Sequence, residues 1–184
     1  MKTEGKFPLF IVAALAWIVI VSSCANVGMP EGGPRDTIPP VLVKTEPEYK
    51  ALNFKGDEVR ITFNEYINTE AISEALVISP PMIKKPLVRT KSKTLVIEFN
   101  EELKDSTTYS LDFKNSVADN NEKNEIEDFR FSFSTGNVYD SLKIAGNLSN
   151  AFNLKPIEKG LILIHSNLHD SAFYRVRPDY IAKT

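Results

Sequence analysis

Cys24 is the only cysteine in 184 residues, and it directly follows Val21-Ser22-Ser23. A lone thiol forms no internal disulfide, so its chemistry is that of a reactive or modified group. Two histidines, His165 and His169, stand four apart and are followed by Asp170. On a helix that spacing would let two imidazoles share a metal ion. Here the preceding Leu161-Ile162-Leu163-Ile164 reads as strand and Ser166-Asn167 as turn. Positions four apart on a strand are too distant for one ion, so both histidines read as surface turn residues and no metal is expected. The stretch Asp119–Asp128, DNNEKNEIED, is rich in oxygen ligands. It lacks the glycine and terminal glutamate of a helix-loop-helix calcium loop, and reads either as a solvated turn or as a looser calcium loop. Glu98, Glu101, Glu102 and Asp105 cluster near a strand end. Paired carboxylates hydrolyse glycosides when held at a fixed separation across a cleft. These four fall at a turn with no aromatic platform nearby and read as a solvated rim. No G-x-S-x-G, H-E-x-x-H or phosphate-binding glycine loop occurs. The expectation is a protein without catalytic residues or cofactor.

Outside the cysteine, the residues establish a setting more than a reaction. Met1 to Lys6 is weakly positive, and Phe7 to Val21 is a run of fifteen residues without a charge. That is short of the ~20 apolar residues that span a bilayer comfortably. A positive start, a short apolar core and small residues at its end make a secretory signal over residues 1–23. Val21-Ser22-Ser23-Cys24 resembles the bacterial lipobox. The resemblance implies cleavage between Ser23 and Cys24, with acyl chains on the sulfur and on the new amine of Cys24. Each buried methylene adds about 0.8 kcal/mol, so several chains hold a membrane far more firmly than one. The alternative is an uncleaved signal anchor with an incidental cysteine. Residues 24–40, with four prolines and three glycines and no periodicity, read as a flexible tether.

Ala25 follows the cysteine, with no aspartate to suggest inner-membrane retention and no acidic run of the kind that surface-exported lipoproteins of the Bacteroidota tend to carry. By resemblance, this favours an outer-membrane lipoprotein on the periplasmic face over one on the cell surface. The formal net charge of −2 lacks the basic stripe of a nucleic-acid binder, so no nucleic-acid partner is expected.

From residue 41 to 136 the chain alternates apolar and polar residues in short runs. Val59, Ile61 and Phe63 share one face, as do Leu95, Ile97 and Phe99; Tyr109, Leu111 and Phe113; and Phe129, Phe131 and Phe133. Period-two patterning of this kind marks antiparallel strands with one buried face. Weaker strands are read at Val41–Thr45, Ala75–Ile78 and Leu87–Thr90, with a helical turn at Thr69–Ala75 capped by Asn68 or Thr69. About seven short strands separated by turn signals predict an all-β, immunoglobulin-like antiparallel sandwich.

Several motifs then carry a family resemblance. DTIPP at Asp36–Pro40, ITFNEYI at Ile61–Ile67, LKDSTTYSLDF at Leu103–Phe113, VADNNEK at Val117–Lys123 and FRFSFSTG at Phe129–Gly136 occur in the order seen in S-layer-type bacterial Ig-like domains. The glycine of that family's V-x-D-x-x-G-N turn is missing, which predicts a longer or looser turn, with Asn120 available for positive φ. Tyr109 resembles the tyrosine corner of sandwich folds.

Residues 140–184 resemble the opening of a prealbumin-like, carboxypeptidase regulatory-like sandwich. IAGNLSNAFNLKPIEKGLILI carries that likeness and RPDYIAKT resembles a later strand. Strands are read at Leu142–Leu148 and Leu161–His165. The match covers about half of such a module, so the region reads as truncated. Unpaired edges and bare apolar faces should make it the least ordered part of the chain.

Together these readings imply a lipid-anchored, non-catalytic envelope protein, with the Ig-like domain as spacer or adhesion module. The alternatives are a glycan- or peptide-binding envelope module, or the accessory domain of a hydrolase whose catalytic part lies beyond residue 184.

Overall fold

The computed structural model describes residues 33–184 apart from Thr69. The signal segment, Ser23 and Cys24 lie outside the described residues. Eleven strands follow in order: β1 Leu42–Glu46, β2 Glu58–Phe63, β3 Ile67–Asn68, β4 Val77–Ser79, β5 Leu87–Lys91, β6 Thr94–Glu98, β7 Thr108–Lys114, β8 Ala118–Asp119, β9 Phe129–Ser134, β10 Leu161–Ile164 and β11 Tyr180–Lys183. Among the described residues the helices are α1, Glu70–Ala75, and α2, Ala172–Arg175. Every pairing is antiparallel. One sheet runs β1-β2-β6-β5 and a second β4-β7-β9, with small two-stranded pairs β3-β8 and β10-β11. This is an Ig-like β-sandwich.

The alternating residues make the core. Val59, Ile61, Leu95, Ile97, Leu111, Phe113 and Phe133 are fully buried. Phe133 is the hub of an aromatic cluster. Phe54 meets it edge-on at 4.6 Å, Tyr109 stacks on it at 5.7 Å, and Phe99 tilts against it at 6.0 Å. A buried side chain of this size contributes about 1.5–3 kcal/mol, and aromatic pairs add specificity through their edge-to-face geometry.

All three weaker strands form, as β1, β4 and β5, and α1 forms where the helical turn was expected. Asn68 accepts the Glu70 amide at 3.0 Å at its start. The tyrosine corner is present: the Tyr109 hydroxyl accepts the Lys104 amide at 2.8 Å. Gly136 closes the last strand against Ser106, whose Cα would lie 2.7 Å from any added Cβ, so a glycine is required by close approach.

Two expectations need correction. Ser132 and Ser134 alternate with Phe131 and Phe133 along β9, which by period two puts them on the face away from the core, yet both are buried. The segment after β9 folds back over them: Ser132 shares a hydrogen bond with the Tyr139 hydroxyl at 2.8 Å, and Ser134 donates to the Val138 carbonyl at 2.6 Å. Leu142–Leu148 is not a strand. Residues 142–147 run exposed and outside any strand, with Leu142 and Ile144 largely in solvent, and the half-buried Leu148 is held, its carbonyl accepting the Ile157 amide at 3.0 Å. The partner of β10 is instead β11, in register Leu161↔Lys183 to Ile164↔Tyr180.

Candidate functional site

The two motif-rich ends of the sandwich are built differently. At the end where the chain enters, three separate motifs converge. Asn64, just after β2, accepts the Val41 amide on its side chain at 2.6 Å and donates its own amide to the Val41 carbonyl at 3.0 Å. Asn124 donates its side-chain amide to the carbonyls of Asp36 and Ile38 at 3.2 and 3.4 Å. Asp36 accepts the Ile38 amide at 2.9 Å, making a local turn. The last residues of the stretch read as tether are therefore fixed to the sandwich, and Pro40 is buried.

Beneath them lies Asp119, only 2% exposed. Its carboxylate accepts the backbone amides of Asn121, Glu122, Lys123 and Asn124 at 2.8, 2.7, 3.2 and 2.8 Å. Burial raises its carboxyl, but the four amides outweigh that and hold it below the ordinary value. The loop is therefore organised around a saturated anion and is not simply a solvated turn. Asp119 uses its lone pairs inward, as a backbone cradle. The left-handed residue that closes the turn is Lys123, at φ 66°, and not Asn120. The Lys123 ammonium donates to the Asn120 carbonyl at 3.0 Å and ties the turn shut.

Glu65 sits in the same region. Burial raises its carboxyl, and the negative charges of Asp119, Asp36 and Glu122 raise it further against the opposing Lys93. Lys93 itself donates to the Asn64 carbonyl at 2.6 Å and lies 5.7 Å from the Tyr66 ring centre.

At the opposite end, Glu101, Glu102 and Asp105 of the rim line one open cleft, and Glu98 does not. Glu101 is a clamp: it accepts the Ile83 amide at 2.9 Å and the Lys84 amide at 2.7 Å. Burial raises its carboxyl, but these amides and the charges of Arg177 and Lys84 leave it below the ordinary value. Glu98 is bound to Arg89 at 2.9 Å on the outer sheet face. Glu101, Glu102 and Asp105, with Asp57, line an open cleft of about 520 Å³, and Phe54 and Phe99 place aromatic rings beside them, against the expectation of no aromatic platform.

The histidines are not brought together as ligands. The Nδ1 of His169 shares a hydrogen bond with the Ser171 hydroxyl at 2.9 Å. Both ring nitrogens of His165 are buried without a hydrogen-bond partner. Among the described residues no group of three or more His, Cys, Asp or Glu could hold a metal ion, and no helix is long and apolar enough to cross a membrane.

The outer face of the β1-β2-β6-β5 sheet is a lattice of charge. Register places Val96 between Arg60 and Arg89, and that valine is buried on an otherwise solvated face. Arg60 pairs with Glu58, and Arg89 with Glu58 and Glu98. Elsewhere, Lys50 lies between two tyrosines, 5.3 Å from the Tyr49 ring centre and 5.4 Å from that of Tyr139.

The fold resembles several solved proteins at low identity. The methionine-rich copper resistance protein PcoC from Escherichia coli is 17% identical, with 51% of this chain and 95% of that one covered, at a TM-score of 0.38. The N-terminal part of the bacterial S-layer protein SbsC is 20% identical over 68% of this chain and 29% of its own, also at 0.38. An L,D-transpeptidase from Mycobacterium smegmatis is 16% identical over 80% and 73%, at 0.39. These likenesses carry no function across. No curated protein matches the chain. The bacterial Ig-like domain family matches over residues 36–135, beginning at the Asp36 turn and ending beside Gly136, and the chain belongs to that family.

Proposed function

We propose that this chain is a lipid-anchored, non-catalytic envelope protein whose Ig-like domain is a structural spacer or adhesion module. The observation that carries the reading is the position of Cys24. It is the only thiol, it ends a lipobox-like Val-Ser-Ser-Cys whose Val21 closes the fifteen-residue uncharged run from Phe7, and it stands twelve residues before the Asp36 turn that opens the family match. Acyl chains on Cys24 hold a membrane, a short Gly/Pro-rich tether follows, and the Asn64 and Asn124 contacts fix the chain where it joins the sandwich. The setting is an outer membrane of the Bacteroidota type, on the periplasmic face, and residues 140–184 begin a prealbumin-like module.

An Ig-like domain suits this work because its strength lies in an antiparallel core. Asp119 and Glu101, the two carboxylates most embedded in hydrogen bonds, both hold loops. Intact-mass analysis of the mature protein with detergent partitioning tests the anchor. A mass lacking residues 1–23 and gaining acyl groups supports it, and an unmodified product in the aqueous phase removes it.

A second reading is a glycan- or peptide-binding module. It is favoured by the half-exposed Tyr49, whose ring with Tyr139 brackets Lys50. Aromatic faces stack on sugars or peptide side chains. Chemical-shift changes confined to Tyr49 and Tyr139 on titration with envelope glycans would support it, and no change at either would end it.

A further inference from the structure

The two outer edges of the β4-β7-β9 sheet are covered in unlike ways. The β9 edge is sealed by backbone hydrogen bonds from residues 50–54: the amides of Lys50 and Phe54 donate to the carbonyls of Ser132 and Ser134, and Ser134 donates to Ala51. The β4 edge is covered by the C-terminal hairpin. Strand β11 lies alongside β4, yet no backbone ladder joins them. Among the described residues, the hydrogen bond seen between β4 and β11 runs from the Ile181 amide to the Ser79 hydroxyl, at 3.2 Å. Opposite charges also face each other across it at longer range, Arg177 with Glu101 and Lys104 with Asp179, although the stronger hold on Asp179 is Ser166 within the hairpin, whose amide it accepts at 2.6 Å. Neither pair is in direct ion contact among the described residues. Arg177, Lys104 and Asp179 are exposed, so salt screens these attractions readily. The connecting segment, residues 140–147, is exposed throughout and free of strand pairing.

We propose that the β10-β11 hairpin is a detachable cover over the β4 edge, held by the Ser79–Ile181 contact and by the Arg177 and Lys104 charges, and that the sandwich beneath it stays folded when the cover lifts. An unpaired strand edge invites pairing with another chain, and proteins commonly cover such edges with other elements. Here the covering element is on a long leash and lacks the backbone bonds that would make it part of the sheet. Segments with few such bonds open locally at much lower free energy than a core. This inference is independent of the lipid anchor.

Residue-resolved hydrogen exchange on the full-length chain in detergent tests it, using wild type, Arg177→Glu, Arg177→Lys and Ser79→Ala. Arg177→Glu sets a negative charge toward Glu101 without touching the amides that Glu101 holds. The expected result is at least tenfold faster exchange at Ile181 and within Val77–Ser79, with Leu111 and Phe133 unchanged. Wild type in high salt should shift the same way, and Arg177→Lys should stay near wild type. Ser79→Ala should accelerate Ile181 while leaving Phe133 protected. Exchange at Ile181 that is indifferent to salt and to all three substitutions overturns the proposal. So does acceleration of β4, β7 and β9 together, which would mean the hairpin is part of one cooperative unit.

Discussion

Asn64 and Val41 hold each other twice: the asparagine side chain accepts the Val41 amide at 2.6 Å, and the Asn64 amide donates to the Val41 carbonyl at 3.0 Å. This pair fixes the chain just before β1, on the route from the tether into the sandwich. Asn64→Ala removes one bond and leaves the Val41 amide without its protein partner. The expected loss is about 0.5–1.5 kcal/mol in urea unfolding. Exchange should accelerate at Val41 and through β1 before it does in β6. An unchanged Val41 amide would mean the side chain is not what fixes the strand.

Asp119 holds its loop with four amide hydrogen bonds to a buried carboxylate. Bonds to a charged acceptor are stronger than neutral ones, and Asp119→Ala abandons all four donors. A loss of at least about 3 kcal/mol is expected. Lys123→Gly relieves a left-handed lysine but gives up its ammonium bond to the Asn120 carbonyl, so the urea midpoint should stay close to that of the wild type.

The acid response has two opposing parts. The Asp119 carboxyl lies below its ordinary 3.8 in the folded state, so the unfolded chain takes up that proton first. Its stabilisation is complete above about 3.8 and is lost as pH falls through the lower folded value. Glu65 lies above its ordinary 4.5, so the folded state takes up that proton first. Its penalty is in force at neutral pH and is relieved as pH falls through the raised value toward 4.5. Glu65→Gln should therefore stabilise at pH 7 by under about 1 kcal/mol, with the gain gone below 4.5. Asp119→Asn should flatten the acid limb below 3.8. Urea midpoints across this pH range read both; a Glu65→Gln gain that persists unchanged at pH 3 would contradict the assignment.

Tyr109→Phe removes the hydroxyl that accepts the Lys104 amide and keeps the ring stacked on Phe133. A loss of about 1–2 kcal/mol is expected. Phe133→Ala, at the centre of the aromatic cluster, should cost about 3–5 kcal/mol. If the two losses come out equal, the hydroxyl carries more of the corner than the geometry implies.

The sandwich was legible because β2 and β7 bury alternate residues. Val59-Ile61-Phe63 and Tyr109-Leu111-Phe113 announce themselves by period, and all six are buried, whereas Phe129 of the β9 run is only partly so. Burial of Ser132 and Ser134 was not legible, because it depends on Tyr139 and Val138 folding back from beyond the strand. The role of Asp119 was half legible. Its place in an oxygen-rich loop was plain, but whether a carboxylate faces solvent or its own backbone is decided by turn geometry, and composition carries no trace of that. Leu142–Leu148 misled because a short apolar alternation needs a partner strand to become one, and β10 found Tyr180–Lys183 instead. The Ser79–Ile181 contact spans 102 residues, a separation at which local pattern is silent.

The central claim, that this Ig-like domain hangs from a membrane by Cys24, is tested most directly by Cys24→Ser in a native host. Fractionation and intact mass should show the wild-type protein shortened by residues 1–23, acylated and in the membrane fraction. The serine variant should keep its signal segment uncleaved at residue 23 and carry no acyl mass. A serine variant that is processed at the same bond and retained in the membrane like wild type would contradict the account.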